Sequence, residues 1–247
     1  MLRSLEVMKG RVLVARLFPA ILGVFVLAAL GVLTLCPQID ASISALFADE
    51  NGFFHSHNLI LRGMTKTVFY TARVMAVLFA LGALSAFFLK KPIAGLDKKG
   101  WFFLLLCLLV GPGLFANVVL KDNWGRARPR DVEMFGGTKT FTPPLFISQA
   151  CSRNCSFVSG DGAFGFFLPS FAYLVAPHRR RRVFWAAMGA GSIIAAARIV
   201  LGAHFFSDVI YAMALVMATS AALHALFYGR AETGRCWRSW LGIKGRS

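Results

Sequence analysis

Charged residues are scarce in this chain, and acidic residues are the scarcest of them. Only 15% of the 247 residues are charged, with 11 Asp and Glu against 27 Lys and Arg. A soluble domain averages about 25% charged residues, whereas this chain is 57% hydrophobic and contains 24 Phe. This composition excludes an ordinary soluble domain. The net charge of +16 is explained first by the basic cytoplasmic loops of a membrane protein, so we predict no nucleic-acid partner.

Metal-binding cysteine patterns and internal repeats are also lacking. The five cysteines include no paired CxxC motifs, so the sequence predicts no zinc site and no metal cofactor. Cys36 and Cys107 lie in or at the end of apolar segments and are interpreted as small hydrophobic residues. Without repeats or low-complexity tracts, we expect a single domain.

Long apolar segments dominate instead, and they predict an all-α polytopic membrane protein. We expect six transmembrane helices in one bundle, at 17–36, 67–89, 101–120, 162–177, 183–203 and 207–228. The bundle, 17–228, is flanked by an N-terminal segment, 1–16, and a basic tail, 229–247. The first apolar segment resembles a signal peptide, but it is too long and lacks an A-x-A site, so we expect it to be retained.

The distribution of Lys and Arg predicts the orientation of the bundle. Basic residues cluster in four segments that alternate correctly for the cytoplasmic side: 3–16, 90–99, 179–182 and 230–246. Both termini are therefore predicted to be cytoplasmic. The segments 37–66 and 121–161, and the turn near His204, are then outside, and we expect 37–66 to lie along the membrane surface.

One outside loop, 121–161, is basic against this rule. Its basic residues are Lys121, Arg126, Arg128, Arg130, Lys139 and Arg153. Loose sorting is one explanation, because the rule is statistical. The other explanation is an anionic ligand bound on this side.

Three polar segments support the second explanation. They are 121–130, 156–163 and 197–208, and each adjoins the same end of a predicted membrane helix, so all three can converge on one membrane face. Lys121, Arg128 and Arg198 supply cations that match phosphate oxygens and stabilise a phosphoryl-transfer transition state. Ser159 and the amide of Gly160 begin a helix, which is an anion site.

His204 and Asp208 supply the reactive pair. On a helix, residues four apart lie on one face, so the carboxylate can accept from one imidazole nitrogen and leave the other free to attack phosphorus. Taken alone, a His near a membrane helix end is more often interfacial, and an Arg such as Arg198 can snorkel. Their joint occurrence favours a phosphate site.

These segments resemble the motifs of the type 2 phosphatidic acid phosphatase family. Its first motif, K-x6-R-P, is matched by Lys121 through Pro129. Its third, S-R-x5-H-x3-D, is matched by Arg198 through Asp208, with Ala197 in place of the Ser. Its second, P-S-G-H, stands here as Val158 through Asp161. The three motifs occur in the family's order, and the six-helix layout covers most of the chain.

The resemblance implies a membrane phosphatase that needs no metal. It implies that His204 is the nucleophile, which forms a phosphohistidine, and that Asp208 orients it. It also implies a set of phosphate-binding residues: Lys121, Arg128, Ser159, Gly160 and Arg198.

Asp161 departs from the family pattern, in which a His protonates the leaving oxygen. Three roles stay open for it: a general acid, a contact to a substrate hydroxyl or amine, or the mark of an inactive site. The intact His204–Asp208 pair argues against inactivity.

The long loop 135–161 carries a further resemblance. Its CSxNCSFVSG-acid pattern is similar to that of lipid A 4′-phosphatases. This similarity implies dephosphorylation of lipid A at the periplasmic face of the bacterial inner membrane, with weaker binding of cationic antimicrobial peptides as the consequence. Cys151 and Cys155 are close enough to form a disulfide outside the cytoplasm, and two free thiols are the alternative.

Other functions stay open. Undecaprenyl diphosphate and phosphatidylglycerol phosphate are rival lipid substrates. The same phosphohistidine could pass phosphate to a lipid acceptor, and a non-enzymatic lipid-binding or transport protein is the third class. The sequence predicts no particular oligomeric state.

Overall fold

The computed structural model describes residues 23–242, which are mostly helical. Eight α-helices are described: α1 Gly23–Leu35, α2 Gln38–Ala45, α3 Leu59–Leu89, α4 Lys98–Leu108, α5 Gly160–Phe167, α6 Pro177–Val200, α7 Phe206–Tyr228 and α8 Arg230–Trp240. Two short antiparallel strands, β1 Ala48–Asp49 and β2 Gly52–Phe53, form a hairpin. Helix α4 continues as a π-helix, Leu109–Leu120, and 3-10 turns occupy Pro129–Asp131, Glu133–Phe135 and Leu168–Tyr173.

Four of these helices are long and apolar enough to cross a membrane. They are α3, α4 with its π-helical extension, α6 and α7. Helices α1 and α2 form a pair bent by 78°, which brings the number of candidate spans to at most five. The bend lies at Pro37, which has no N–H to continue the first helix. The expected polytopic helical class is thus confirmed, while six spans and the orientation of the termini stay predictions. Segment 1–16 lies outside the described residues.

Two segments differ from the helices expected from the sequence. Helix α3 begins at Leu59 rather than at 67, because the side chain of Asn58 accepts a hydrogen bond from the Leu61 amide and caps the helix. In place of a fourth span at 162–177, the chain forms α5 and a 3-10 turn. Seven of the eight α5 residues are buried, so α5 is a core helix.

Small residues let α5 pack closely on α6. A methyl group added at Gly165 would lie 2.9 Å from the Cα of Gly191, so both glycines are needed for this approach. Gly191 therefore contributes to the close packing of α6 on α5.

The basic tail begins as an ordered helix. Trp240 of α8 is buried and stacks on Phe184 of α6, with ring centroids 4.4 Å apart. Trp237 donates a hydrogen bond to the Tyr173 hydroxyl at 3.0 Å. Helix α8 therefore closes one end of the bundle, away from the hairpin.

The hairpin and the long loop close the other end. Phe53 of β2 packs edge-on against Phe135 of the loop, and both belong to a small core with Phe205, just before α7. The Phe53 ring also covers Gly202, where a methyl group would meet it at 2.6 Å. This layer fixes the chain on both sides of His204.

Candidate active site

The three polar segments singled out in the sequence lie together. The Cys155 amide donates to the Lys121 carbonyl at 3.0 Å, which joins the second segment's loop to the first. The Ser159 amide donates to the Asp208 carbonyl at 3.3 Å, which joins α5 to α7. Arg198 lies 3.0 Å from Asp161, which joins α6 to α5. The expected convergence is therefore present in the structure.

The His204–Asp208 pair is arranged differently from the expectation. His204 precedes α7, and Asp208 is the third residue of that helix, where its carboxylate accepts from the Phe205 amide at 2.8 Å. Because His204 lies before the helix begins, the two residues do not share a helical face. Nδ1 of His204 lies 3.9 Å from Asp208 Oδ2 but only 2.7 Å from the carbonyl oxygen of Ser156. The Ser156 hydroxyl in turn donates to Asp208.

These contacts fix the state of the imidazole. A carbonyl oxygen only accepts hydrogen bonds, so Nδ1 of His204 carries the proton. Nε2 is buried and has no hydrogen-bond partner among residues 23–242. Burial lowers the pKa of His204 well below its ordinary value, and the cations Arg198, Arg128 and Lys121 lower it further. His204 is therefore neutral, with a lone pair on Nε2.

Two of the cations are held by oxygen atoms of the protein. Arg198 donates to the Thr65 hydroxyl at 2.9 Å and pairs with Asp161. Arg128 donates to the carbonyl of Asn154, at 2.7 Å from Nη2. Burial lowers the pKa of Arg128 to about 10, with neighbouring arginines contributing. Arg128 has no acidic partner within salt-bridge distance in the described part of the chain.

Lys121 is the third cation, at the end of the π-helix. Its ammonium makes no hydrogen bond or ion pair with the side chains that the structure describes. Burial and, to a smaller extent, the charge of Arg128 lower the pKa of Lys121 to about 8, although Asp161 opposes this. Three partly buried cations close together favour an anion between them.

The start of α5 supplies backbone donors. Ser159 is fully buried and caps the helix by accepting from the Gly162 amide at 3.2 Å. The amides of Gly160 and Asp161 belong to the first turn and have no partner within the helix itself. A methyl group at Gly160 would lie 2.5 Å from Asn117 Oδ1 and 3.1 Å from Lys121 Nζ. Glycine is therefore needed for this close approach.

A cleft of about 900 Å³ opens beside these groups. Its polar end is lined by Lys121, Arg128, Asp161 and Arg198. Its apolar walls come from α3 and the π-helix, and they include Phe69, Ala72, Ala76, Leu109 and Pro112. Lys66 and Arg73 of α3 also line the cleft, so it combines cations with apolar side chains, a lining that fits an anionic lipid. His204 is fully buried and does not line this cleft.

The disulfide loop borders the first motif. Cys151 and Cys155 are joined by a disulfide. Between them, Asn154 has a φ of +54°, donates from its amide to Asp122 at 3.1 Å, and offers its carbonyl to Arg128. The loop thereby holds the Arg128 guanidinium in place.

Sequence reasoning missed two buried residues. The sequence marks Arg126 only as one of several basic residues in loop 121–161, but it is fully buried, 2.6 Å from Asp208 and 2.8 Å from Asp40. Its position two residues before Arg128 was the available signal. Asp40 carried no local signal, because it lies 86 residues away from Arg126 in the chain. Within 23–242, no group of three or more His, Cys, Asp or Glu side chains is placed to hold a metal ion.

Comparison with known proteins gives consistent matches. The family profile described as PAP2 superfamily matches residues 100–232. A protein named lipid A 4′-phosphatase from Francisella tularensis subsp. novicida is 43% identical over 160 residues, which cover 64% of this chain and 70% of the relative.

Two rhizobial proteins carry the same name. That of Rhizobium leguminosarum is 41% identical over 120 residues, covering 48% of this chain and 51% of the relative. That of Rhizobium etli is 39% identical over 120 residues, covering 48% of this chain and 46% of the relative. The chain thus spans about half the length of these two relatives. No solved structure matches the chain significantly.

Proposed function

This chain belongs to the PAP2 superfamily and is a phosphoric monoester hydrolase, and from that premise we propose that it removes a phosphate monoester from lipid A. The proposal includes that the reaction occurs at the periplasmic face of the bacterial inner membrane. The lipid substrate is supported by the names of the relatives and by the cleft, which combines cations with apolar side chains.

One observation carries the proposed chemistry. Nε2 of a neutral, buried His204 has no partner in the described chain, and the cations Lys121, Arg128 and Arg198 are near enough to lower the pKa of His204. In the first step, Nε2 attacks phosphorus while the bond to the lipid oxygen breaks. Lys121, Arg128, Arg198 and the first amides of α5 stabilise the charge on the phosphoryl oxygens. In the second step, water attacks the phosphohistidine and releases inorganic phosphate.

We assign Asp161 the role of a substrate contact. The Asp161 carboxylate pairs with the Arg198 guanidinium at 3.0 Å, and an ion-paired carboxylate accepts hydrogen bonds. It can accept a hydrogen bond from a substrate hydroxyl or amide beside the phosphate, and it orients Arg198. The leaving oxygen then takes its proton from water.

Mass spectrometry of purified lipids tests whether lipid A is the substrate. Wild-type protein and His204→Ala are incubated separately with lipid A, undecaprenyl diphosphate and phosphatidylglycerol phosphate, and free phosphate is measured. We expect lipid A to lose one phosphate with wild type alone, together with an equal amount of free phosphate.

Each alternative has its own outcome. Turnover of undecaprenyl diphosphate or phosphatidylglycerol phosphate without change in lipid A would overturn the proposal that lipid A is the substrate. Phosphate that appears on a second lipid, without free phosphate, would identify a phosphotransferase. Equal effects of wild type and His204→Ala would refute the His204 mechanism and favour a lipid-binding or transport protein.

A further inference from the structure

Three charged side chains form a buried cluster behind His204. Arg126 lies between two carboxylates, with Nη1 2.6 Å from Asp208 and Nη2 2.8 Å from Asp40. The exposed fraction of each side chain is 1% or less. Nη1 also donates to the Ser207 hydroxyl at 2.9 Å, and Nε donates to the Thr142 carbonyl at 2.8 Å, so every nitrogen of the guanidinium has a partner.

Asp40 reaches this cluster from a distant part of the fold. It lies in α2, just after the bend at Pro37, and outside residues 100–232 that match the family. One of its oxygens accepts from the Ser207 amide at 2.8 Å, which ties α2 to the first turn of α7. The bent α1–α2 pair thus delivers a charge to the site.

The charges of the cluster do not cancel. Two carboxylates share one guanidinium, so the formal charge of the cluster is one negative charge in a buried place where charge is costly. Burial raises the pKa of Asp208, the charge of Asp40 adds to this, and the Arg126 guanidinium opposes it. With Asp208 alone, Arg126 would form a neutral pair. With Asp40 also present, Arg126 is shared, and Asp208 retains negative charge toward its other neighbours.

Asp208 is connected to His204 by two hydrogen bonds through Ser156. Asp208 Oδ2 accepts from the Ser156 hydroxyl at 2.5 Å, and the Ser156 carbonyl accepts from Nδ1 of His204 at 2.7 Å. When Nε2 bonds phosphorus, Nδ1 keeps its proton, so the ring becomes a cation. The electron pair of the broken phosphorus–oxygen bond leaves with the lipid oxygen, which takes a proton from water. A net negative charge beneath the ring stabilises the phosphorylated imidazolium.

We propose that Asp40 is a positioning residue for the proposed hydrolysis, on which this inference rests: it occupies Arg126 so that Asp208 keeps a net negative charge beneath His204. Asp40 acts through Arg126 and Asp208 and does not touch the substrate. Its effect therefore falls on the chemical step and not on substrate binding.

Two variants separate this electrostatic role from a structural one. Asp40→Asn makes the cluster neutral, so kcat should fall by about tenfold or more with KM within about twofold. Asp40→Asn combined with Arg126→Gln restores one net negative charge, while the Gln amide can still donate to Asp208. The double variant should recover kcat to within about threefold of wild type.

The assay uses lipid A and p-nitrophenyl phosphate with the full chain, and the melting temperature of each variant is measured. Unchanged kcat in Asp40→Asn, or a double variant slower than the single one, overturns the inference. If Asp40→Asn is not recovered folded, the double variant provides the test. A fall in its kcat of more than about tenfold from wild type would contradict the electrostatic role of Asp40. Failure of the proposed function is distinguished by wild type and His204→Ala behaving alike.

Discussion

Ser156 stands between His204 and Asp208: its carbonyl accepts from the imidazole at 2.7 Å, and its hydroxyl donates to the carboxylate at 2.5 Å. One residue thus contacts both members of the reactive pair, with the backbone group on one side and the side chain on the other. The imidazole tautomer is therefore fixed by a main-chain oxygen, and Asp208 acts on His204 through Ser156.

Ser156→Ala should weaken catalysis without abolishing it. The substitution removes the hydroxyl that Asp208 holds, but it leaves the carbonyl that fixes the tautomer. We expect kcat to fall about tenfold with little change in KM, whereas His204→Ala should remove turnover. Steady-state kinetics with lipid A measures both effects. A loss in Ser156→Ala as complete as that in His204→Ala would show that the hydroxyl, not the carbonyl, controls the ring.

Substrate binding should weaken at alkaline pH because of Lys121. Its pKa of about 8 means that the ammonium is charged below this pH and loses its charge as the pH rises through it. A phosphate monoester is already a dianion above about pH 6. KM should therefore rise above pH 8, and Lys121→Arg should remove this rise, since a guanidinium stays charged. Identical KM profiles for both proteins would assign the alkaline change to another group.

Asp161→Asn distinguishes a substrate contact from a general acid. p-Nitrophenolate leaves without protonation, so loss of a general acid would lower kcat for lipid A and spare p-nitrophenyl phosphate. As a contact that orients Arg198, Asp161 should instead affect KM, by about fivefold or more for lipid A. Asp161→His serves as the matched variant, because it restores the family's residue. A selective fall in lipid A kcat for Asp161→Asn would refute the contact role.

Gly160→Ala should block the phosphate site. The added methyl group would lie 2.5 Å from Asn117 Oδ1 and close to the Lys121 ammonium, so one of these groups must move. We expect KM to rise about tenfold or more. Gly189→Ala is the control, because a methyl group there meets nothing within 4 Å. Equal kinetics for the two variants would mean that the start of α5 does not hold the phosphate.

The parts that the sequence predicted depend on short spacings. Each motif lies within one short segment: Lys121 and Arg128 in the first, and Arg198, His204 and Asp208 in the third. The family that these motifs indicate is confirmed by the matching profile. The helical membrane class is also confirmed, because an apolar segment of about 20 residues directly indicates a membrane-spanning helix.

The parts that the sequence did not predict depend on tertiary packing. The Arg126–Asp40 contact joins residues 86 positions apart, and nothing near either residue indicates it. The hydrogen bond from His204 ends on a main-chain oxygen, which every residue possesses and no motif can mark. Helix α5 is buried and shorter than a span, and composition alone does not separate such a helix from a lipid-facing one.

A phosphoryl group trapped on His204 would test the central claim most directly. Wild-type protein is mixed with lipid A, quenched within one turnover under alkaline conditions that preserve phosphohistidine, and digested for mass spectrometry. The account predicts a phosphoryl group on the peptide that contains His204, and none in His204→Ala. Turnover of lipid A with a phosphoryl group on a different residue, or with His204→Ala fully active, would contradict it.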